Sequence, residues 1–332
     1  MNNILKKLIY FEYKNNHKVI TIFGIKIKIR NREKEISEKL KNISSALKKY
    51  NTNSERIINK LYEEGKLTKF EQSRNSAKGY IKYLETHIVD HCNLNCTYCC
   101  HYCNVTKKNF INVEDFRRDI KELSRKFDIK LIRLMGGEPL LHPEVHKFIY
   151  ITKEYFPNSE IMLVTNGILL AEASEEFWKA VRDTNIKIDM SKYPGVDKKF
   201  GEALDAIGKN TNHQLGWIWI ASKFSKSMTF KPINNIQESF EKCPYKRCVN
   251  LINGKLTHCP TAGYMKNYNK YFNENLPEEE GIDIYTHSAQ EIMEYLRTPI
   301  PTCAHCLPKD KTQWVEWVGS KKDKYAWFVD KS

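Results

Sequence analysis

The feature that most constrains this chain is a set of three closely spaced cysteines in the run Cys92-Asn93-Leu94-Asn95-Cys96-Thr97-Tyr98-Cys99, which follows a β-like stretch over residues 80–89. Cysteine thiolates are the usual ligands of iron–sulfur clusters, and a cubane 4Fe–4S cluster has four irons that each need a ligand. Three cysteines on one loop leave one iron open, in the way that catalytic zinc keeps a coordination position for its substrate. The spacing therefore predicts a 4Fe–4S cluster that can bind a small molecule and pass it an electron.

At these residues the chain resembles the radical S-adenosylmethionine (SAM) superfamily, whose signature is this triad with an aromatic residue, here Tyr98, before the last cysteine. The resemblance implies that Cys92, Cys96 and Cys99 hold the cluster and that SAM binds its open iron near Tyr98. It also implies that the reduced cluster cleaves SAM to a 5′-deoxyadenosyl radical, and that flavodoxin or ferredoxin supplies the electron. A zinc knuckle or a disulfide cluster is the alternative interpretation of the three cysteines alone.

The sequence offers a second register for the same motif, because Cys96, Cys100 and Cys103 repeat the spacing with Tyr102 before the last cysteine. We favour the first register, since it starts directly after the predicted strand and its opening, Cys92-Asn93-Leu94, matches the wording usual in the superfamily. Cys100 and Cys103 are then additional thiols near the site, to which the sequence assigns no role.

Composition indicates a folded, metal-binding protein rather than a membrane protein. The chain has 332 residues, of which 41% are hydrophobic, and this is enough for one large domain with appendages. It contains no run of about 18 apolar residues and no apolar segment of the secretory type. Its ten cysteines therefore indicate metal binding in a reducing cytoplasm, where disulfides are rare.

Positive charge is concentrated in the first part of the chain. The formal net charge is +14, and residues 1–80 hold 19 Lys and Arg against 8 Asp and Glu, so the rest of the chain is nearly neutral. A basic segment of this kind attracts nucleic acid, an anionic membrane or an anionic substrate, or simply forms a solvated surface. Because the segment shows no helix-turn-helix, zinc-finger or aromatic stacking pattern, we predict no nucleic-acid partner.

Residues 1–79 are predicted to form a basic appendage of short elements. We expect an amphipathic helix over residues 3–13, a hairpin over residues 18–30 that turns at Phe23-Gly24, and helices over residues 35–50 and 53–64. The first helix, with apolar and basic residues, suggests peripheral contact with a membrane. The run from Ile20 to Lys28 resembles short openings of bacterial surface-polysaccharide enzymes.

From residue 80 onward, strand-like and helix-like segments alternate. We predict strands over residues 80–89, 130–135, 161–164, 186–190 and 215–221, and helices over residues 113–127, 144–155, 172–182 and 198–209. Strands that alternate with helical crossovers form a parallel α/β sheet with right-handed connections. The predicted fold is a partial (β/α)6 parallel barrel over residues 80–235, with functional residues at the carboxyl ends of its strands.

Glycine-rich and polar motifs follow the second and third predicted strands, where that rule places them. Gly136-Gly137-Glu138-Pro139 follows the second strand, and its glycines let the backbone approach a ligand closely. The resemblance implies that this loop, with Glu138 as the matching acid, lines the amino end of SAM. It implies in the same way that Thr165 and Asn166, after the third strand, lie beside the cofactor.

The fourth and fifth predicted strands carry further candidates. Asp189 and Ser191 are expected to bond the ribose or the carboxylate of SAM, and the alternative is that they cap the strand. The run Trp217-Ile218-Trp219-Ile220 in the fifth strand is expected either near the adenine of SAM or in the core. The tail around Trp314, Trp317 and Trp327 is expected to pack the end of the domain.

A second group of cysteines lies in residues 236–332 and comprises Cys243, Cys248, Cys259, Cys303 and Cys306. Between them, Asn253-Gly254 is a strong signal for a two-residue hairpin turn. A glycine, four residues and then Cys259-Pro260 resembles the cluster-binding SPASM domain, or its shorter twitch version, of many radical SAM enzymes. Five cysteines imply one auxiliary 4Fe–4S cluster, held by Cys259, Cys303, Cys306 and either Cys243 or Cys248, of which we favour Cys243. A structural zinc site with the same ligands is the alternative.

The auxiliary cluster shapes the functional expectation. Four cysteines leave no open iron, which suits electron transfer, and in relatives with this domain the cluster accepts an electron from the substrate radical. We therefore expect a radical SAM oxidoreductase that oxidises or rearranges a sugar-like small molecule in surface-polysaccharide biosynthesis. The alternatives are a maturase that modifies a peptide or protein, since residues 18–64 loosely resemble a peptide-recognition module, and a non-catalytic metal-binding scaffold.

Overall fold

The computed structural model describes residues 9–14, 17–22, 25–29, 78–212, 214–232 and 235–330. The chain divides into two units, Met1–Phe70 and Glu71–Ser332. None of the helices in the described part of the chain has the length and apolar character that a membrane crossing requires.

In the first unit, three strands pair antiparallel in chain order: β1 (Ile9–Lys14), β2 (His17–Ile22) and β3 (Ile25–Ile29). β2 and β3 form the predicted hairpin. The predicted helix over residues 3–13 is wrong for residues 9–13, which form β1, because their backbone pairs with β2. The prediction of peripheral membrane contact is based on that helix, and residues 9–13 do not support it. The helices predicted over residues 35–50 and 53–64 lie outside the described residues.

The second unit is built on a parallel sheet that contains all five strands predicted from residue 80 onward. They are β4 (Gly79–Val89), β5 (Phe127–Gly136), β6 (Glu160–Thr165), β7 (Lys187–Lys192) and β8 (Leu215–Ile220), and they pair in that order. The predicted helices between them are α1 (Val113–Lys126), α2 (Val145–Tyr155), α3 (Glu175–Thr184) and α4 (Asp197–Asn210). Short 3₁₀ helices lie at Pro139–Leu141 and Leu170–Glu172.

One face of this sheet packs against the helices. Leu84 and Ile132 are fully buried in one core together with Phe116, Ile120 and Phe148 of the helices. Because the five strands are parallel, their carboxyl ends meet along one edge of the sheet. The cysteine loop and the glycine loop therefore begin side by side, at the ends of β4 and β5.

The sheet remains open, and a sixth parallel strand lies where the sequence did not predict one. β10 (Val249–Ile252) pairs parallel with β4, and β11 (Lys255–Thr257) and β12 (Ile282–Asp283) extend the sheet beyond it, so the order is β12-β11-β10-β4-β5-β6-β7-β8. β10 and β11 form the predicted hairpin, whose turn residues Asn253 and Gly254 have φ values of 48° and 74°. β12 pairs with β11. The protein is therefore α/β with a parallel central sheet, compatible with a partial barrel that does not close among the described strands.

The elements that follow β8 surround the second group of cysteines. A two-stranded ribbon pairs β9 (Lys223–Lys226) with β13 (Gln313–Glu316). The helices are α5 (Ile236–Glu241), α6 (Pro260–Gly263), α7 (Met265–Phe272) and α8 (Ala289–Tyr295), with 3₁₀ helices at Pro301–His305, Lys309–Lys311 and Lys324–Trp327. A second hydrophobic core joins Tyr102 of the cysteine loop to Tyr268, Trp327 and Phe328. Trp327 therefore packs the end of the domain, as predicted.

The two tryptophans of β8 lie neither in the core nor at the cysteine cavity, the two positions expected for them. Trp217 and Trp219 are 66% and 56% exposed, so they are not core residues, and neither lines the cavity that holds the first cysteines. β8 is the last strand of the sheet, and the chain then turns away into the ribbon. Among the described strands, none covers its outer edge.

Candidate active site

Five cysteines line one cavity at the carboxyl ends of the parallel strands. The cavity has a volume of 200 Å³, and its walls include Cys92, Cys96, Cys99, Cys100 and Cys103 together with Gly136, Gly137, Thr165, Asn166 and Ser191. The structure thus brings the predicted triad together with most of the predicted SAM-binding residues. Because both cysteine registers face this cavity, its lining alone does not choose between them.

The glycine loop lies directly against the first cysteine. The backbone N–H of Gly137 donates to the carbonyl oxygen of Val89 (2.9 Å), and that of Glu138 donates to the carbonyl oxygen of His91 (3.1 Å). A Cβ on Gly137 would lie 2.0 Å from the carbonyl oxygen of His91 and 2.6 Å from the nitrogen of Cys92. This close approach leaves no room for a side chain at Gly137 and constrains the backbone that leads into Cys92.

Glu138 does not line the cavity, but it is hydrogen-bonded to Thr165 and Asn166, which do. The carboxylate is fully buried and accepts hydrogen bonds from the Thr165 hydroxyl (2.6 Å) and from the backbone N–H groups of Asn166 (2.8 Å) and Leu140 (3.1 Å). Burial raises the pKa of Glu138 to about 7, against the lowering effect of these bonds. In this structure Glu138 therefore joins the loops after β5 and β6 rather than presenting its charge to the cavity.

Asn166 connects the loop after β6 to the cysteine loop. Its Nδ2 donates to Oδ1 of Asn93 (2.7 Å) and lies 3.9 Å from Sγ of Cys92, while its Oδ1 accepts the backbone N–H of Ile168 (3.0 Å). The side chain is thus held from both ends at the cavity wall. Asn166 therefore lies in the wall of the cysteine cavity, next to Cys92.

Two predicted residues lie elsewhere. Asp189 is fully buried, where its Oδ2 accepts from Nη2 of Arg133 (2.7 Å) and its Oδ1 accepts the backbone N–H of Trp217 (2.8 Å). The Asp189 carboxylate therefore forms an ion pair with Arg133, and the residue does not line the cysteine cavity. Tyr98 lines a second cavity instead, with Nζ of Lys226 5.6 Å from the centre of its ring.

In the second cysteine group, the structure brings four of the five thiols together. Cys243, Cys259 and Cys306 line one cavity, and Cys303 lies in the 3₁₀ helix Pro301–His305, just before Cys306. Burial, and then the charges of neighbouring Cys243 and Cys303, raise the pKa of Cys259 to about 12. Burial followed by the charges of the other three thiols also raises the pKa of Cys306 well above its usual value.

Cys248 belongs to a different set of contacts. Its Sγ donates to Oε2 of Glu85 at 3.0 Å, and the hydroxyl of Tyr83 donates to the other oxygen of the same carboxylate. Arg133 in turn donates to the Tyr83 hydroxyl (3.2 Å). Cys248 is therefore tied to a polar network inside the sheet, which favours Cys243 as the fourth member of the group.

The cysteine groups differ from a single-ion site in their geometry. Within residues 78–330, leaving aside 213, 233 and 234, no three His, Cys, Asp or Glu side chains converge closely enough to hold one metal ion.

The two cysteine-lined cavities are neighbours. The second cavity has a volume of 260 Å³, and it shares Cys100 and Phe224 with the first. A molecule in the second cavity would therefore lie between the first three cysteines and the second group. This arrangement was not predicted, because it depends on how β9 and the turn at Cys243 fold over the cysteine loop.

A third cavity is larger than these two. It has a volume of 510 Å³ and lies between α1 and the β10–β11 hairpin, where Asp90, Arg118, Gly254 and Lys266 are among its walls. It contains no cysteine. We place the candidate site by its chemistry and not by cavity size.

Sequence reasoning also missed the role of Trp317. Its Nε1 donates to Sγ of Cys96 at 3.1 Å. Trp317 therefore lies at the cysteine loop, whereas the sequence pattern predicts that it packs the end of the domain. The two residues are 221 positions apart. No local sequence pattern predicts such a contact, because it depends on the tertiary path of the chain after β13.

Comparisons with known proteins agree with this site. Residues 86–200 match the family model described as the radical SAM superfamily. A GTP 3′,8-cyclase of Clostridium botulinum is 35% identical over 116 residues, which are 34% of this chain and 36% of that protein. A GTP 3′,8-cyclase of Microcystis aeruginosa is 32% identical over 158 residues, 46% of each chain. The chain thus spans about a third to a half of the length of these curated relatives.

Solved structures give more distant likenesses. The structure described as BtrN in complex with AdoMet and 2-DOIA has a TM-score of 0.44 and 14% identity, covering 69% of this chain and 94% of that one. Native anSMEcpe with bound AdoMet and the Cp18Cys peptide has a TM-score of 0.33 and 17% identity, covering 43% of each chain.

Proposed function

The chain belongs to the radical SAM superfamily through residues 86–200, and on that basis we propose that it is a SAM-dependent oxidoreductase that oxidises or rearranges a carbohydrate-like substrate. The setting that we propose is surface-polysaccharide biosynthesis. Enzymes of this superfamily use a 4Fe–4S cluster and SAM, which together supply abstraction of a hydrogen atom from a substrate carbon. Membership of a superfamily of enzymes favours catalysis over the non-catalytic scaffold.

The cysteine cavity fits these cofactors in its chemistry. Cys92, Cys96 and Cys99 would hold the cluster, since they share one loop and one cavity whose described walls contain no carboxylate. A set of soft thiolate ligands without hard oxygen ligands suits iron–sulfur clusters. Asn166, on the loop after β6, and Ser191, near the carboxyl end of β7, offer polar groups to SAM.

The observation that carries the proposal is the position of the second cavity. It touches the first cavity at Cys100 and Phe224 and is lined on another side by Cys243, Cys259 and Cys306. A substrate there would meet SAM on one side and the second cysteine group on the other. Four thiols would complete the coordination of an auxiliary 4Fe–4S cluster, which suits that group to accept one electron from the substrate radical and so complete a two-electron oxidation.

The walls of the second cavity indicate the class of substrate. Aromatic faces of Tyr98, Tyr245 and Trp314 occur beside the hydroxyls of Ser225 and Thr261, a mixture that suits the apolar faces and hydroxyl groups of a sugar ring.

The described charged side chains that line the second cavity are all positive. Lys223 and Lys226 line it, and its described walls contain no Asp or Glu. Lys223 pairs with Glu316 at 3.1 Å, but both side chains are exposed, and such pairs contribute little and exchange readily. We therefore propose a sugar that carries an anionic group, such as a sugar phosphate or a nucleotide sugar.

A peptide substrate is the second candidate. The observation that favours it is the uncovered edge of β8, where Trp217 and Trp219 are exposed, because an extended peptide can add to such an edge as a further strand. Protection of β8 amides from hydrogen exchange by a precursor peptide would favour this candidate. Flavodoxin or ferredoxin remains the electron donor that we propose, in a reducing cytoplasm.

The proposal can be tested with isotopically labelled sugars. The anaerobically reconstituted and reduced protein would be incubated with SAM and nucleotide sugars deuterated at their ring carbons. We expect deuterium in 5′-deoxyadenosine and a sugar product that is oxidised or rearranged, and the Cys99→Ala variant should form neither. Transfer of the SAM methyl group, or 5′-deoxyadenosine that carries no deuterium from any sugar, would contradict the proposal.

A further inference from the structure

A short segment near the end of the chain is hydrogen-bonded along the cysteine loop. We call residues 317–320 the C-terminal strap. The backbone N–H of Thr97 donates to the carbonyl oxygen of Val318 (3.1 Å), and that of Ser320 donates to the carbonyl oxygen of Asn95 (2.7 Å). The Thr97 hydroxyl and the Asn95 amide add a bond each, at 2.9 Å, to the same two strap residues. The strap therefore runs beside the loop like an added strand.

Trp317 is the strap residue that reaches a cysteine sulfur. Its Nε1–H donates to Sγ of Cys96 at 3.1 Å. We propose that Trp317 is a positioning residue for the cluster, which holds the Cys96 thiolate in place and raises the reduction potential of the cluster bound there. An N–H aimed at a thiolate sulfur stabilises the more negative, reduced form, and hydrogen bonds to sulfur are one means by which proteins set cluster potentials.

This inference does not depend on which cysteine register is correct. Cys96 belongs to both triads, the one that starts at Cys92 and the one that ends at Cys103. The inference rests on the proposed function in that a cluster must bind at this loop, but the identity of the substrate does not enter it.

The position of the Trp317 ring is set by elements outside the loop. Its backbone N–H donates to the carbonyl oxygen of Ser222 at 2.7 Å, which continues the pairing of β13 with β9. Its ring lies 6.3 Å from that of Tyr193, and Tyr193 lies 6.3 Å from the ring of Phe224. The indole N–H is therefore oriented in advance, by the same ribbon that forms a wall of the second cavity.

The test compares three variants of the full chain. Trp317→Phe removes the N–H but keeps an aromatic ring against Tyr193, and Trp317→His restores a ring N–H. Trp217→Phe makes the same change on the exposed face of β8 and serves as the control. Each reconstituted protein would be titrated with a reductant in the absence of SAM and followed by electron paramagnetic resonance. A separate reduced sample to which SAM is added would identify the signal of the loop cluster, because SAM perturbs that signal.

We expect Trp317→Phe to lower the ratio of reduced to oxidised cluster about tenfold at a fixed potential, which corresponds to 59 mV for a one-electron couple. Trp217→Phe should match the wild type, and Trp317→His should recover part of the difference. If Trp317→Phe folds but binds no cluster, while Trp317→His binds one, the result still supports the positioning role. An unchanged potential in a fully loaded Trp317→Phe protein would overturn the inference. Absence of sugar oxidation would affect the proposed function and leave this measurement intact.

Discussion

The hydroxyl of Thr165, a residue of the cysteine cavity wall, donates to the buried carboxylate of Glu138 at 2.6 Å, and this bond links the end of β6 to the loop that follows β5. The carboxylate has three hydrogen-bond donors in all, yet burial raises its pKa to about 7. Glu138 is therefore close to half protonated near neutral pH. Its contribution to stability depends on pH in a way that can be measured.

Because the pKa of Glu138 is raised in the folded state, its contribution to stability is complete below the unfolded value of 4.5 and is lost as the pH rises through about 7. Between pH 5.5 and 8 the wild type should lose about 2 kcal/mol of unfolding free energy that the Glu138→Gln variant does not lose. Anaerobic urea unfolding at each pH measures the difference. Parallel pH profiles for the two proteins would show that the carboxyl group does not titrate in this range.

Gly137 should not tolerate a side chain. A Cβ there would lie 2.0 Å from the carbonyl oxygen of His91, so Gly137→Ala should destabilise the fold by about 3 kcal/mol or more, as backbone clashes leave little room to relax. The matched control is Gly201→Ala in α4, where nothing lies within 4 Å and the helix should gain about 0.5–1 kcal/mol. Thermal unfolding would rank the three proteins, and equal losses in both variants would contradict the packing argument.

Single replacements of the loop cysteines distinguish the two registers. We expect Cys92→Ala, Cys96→Ala and Cys99→Ala to abolish the cluster signal that SAM perturbs, because each removes an iron ligand. Cys100→Ala and Cys103→Ala should retain the signal. Loss of the signal in Cys103→Ala together with its survival in Cys92→Ala would instead assign the second register.

In the second cysteine group, replacement of Cys243 and replacement of Cys248 should have different effects on the iron content. Cys243→Ala should lower the iron content by about four atoms per chain, the content of one cubane cluster, since Cys243 lies with Cys259, Cys303 and Cys306. Cys248→Ala should leave the iron content unchanged, because its thiol is bonded to Glu85. Iron analysis with visible absorbance measures both. The reverse pattern would place Cys248 in the cluster.

Lys226 should contribute to recognition of an anionic substrate. Lys226→Met should raise KM for a phosphorylated sugar about tenfold, the value of one charge-assisted hydrogen bond, with a smaller effect on the unphosphorylated sugar. Lys179→Met on the exposed surface of α3, where the lysine pairs with Asp183, is the control. Equal effects of Lys226→Met on both sugars would argue against a phosphate contact.

Local patterns predicted a large part of this fold. The strands from residue 80 onward are rich in buried aliphatic residues such as Leu84 and Ile132, and the Asn253-Gly254 turn needs the left-handed backbone that these residues favour. The parallel arrangement then places the cysteine and glycine loops at one edge of the sheet. For these features, local sequence and tertiary structure favour the same outcome.

The features that escaped prediction depend on distant parts of the chain. β1 replaced a helical pattern because it pairs with β2. The sequence predicts that Asp189 binds SAM, and it does not predict the ion pair that Asp189 of β7 forms with Arg133 of β5, two strands away. The contact of Trp317 with Cys96 spans 221 residues. In each case the partner lies on another element, and no periodicity in the sequence identifies that partner.

The most direct test of this account is the electron paramagnetic resonance spectrum of the anaerobically reconstituted, reduced protein, recorded before and after SAM is added. The account predicts a 4Fe–4S signal that SAM perturbs in the wild type and that is missing in Cys96→Ala, whose cysteine belongs to both registers. A protein that holds zinc in place of iron, or a reduced signal that SAM leaves unchanged, would contradict it.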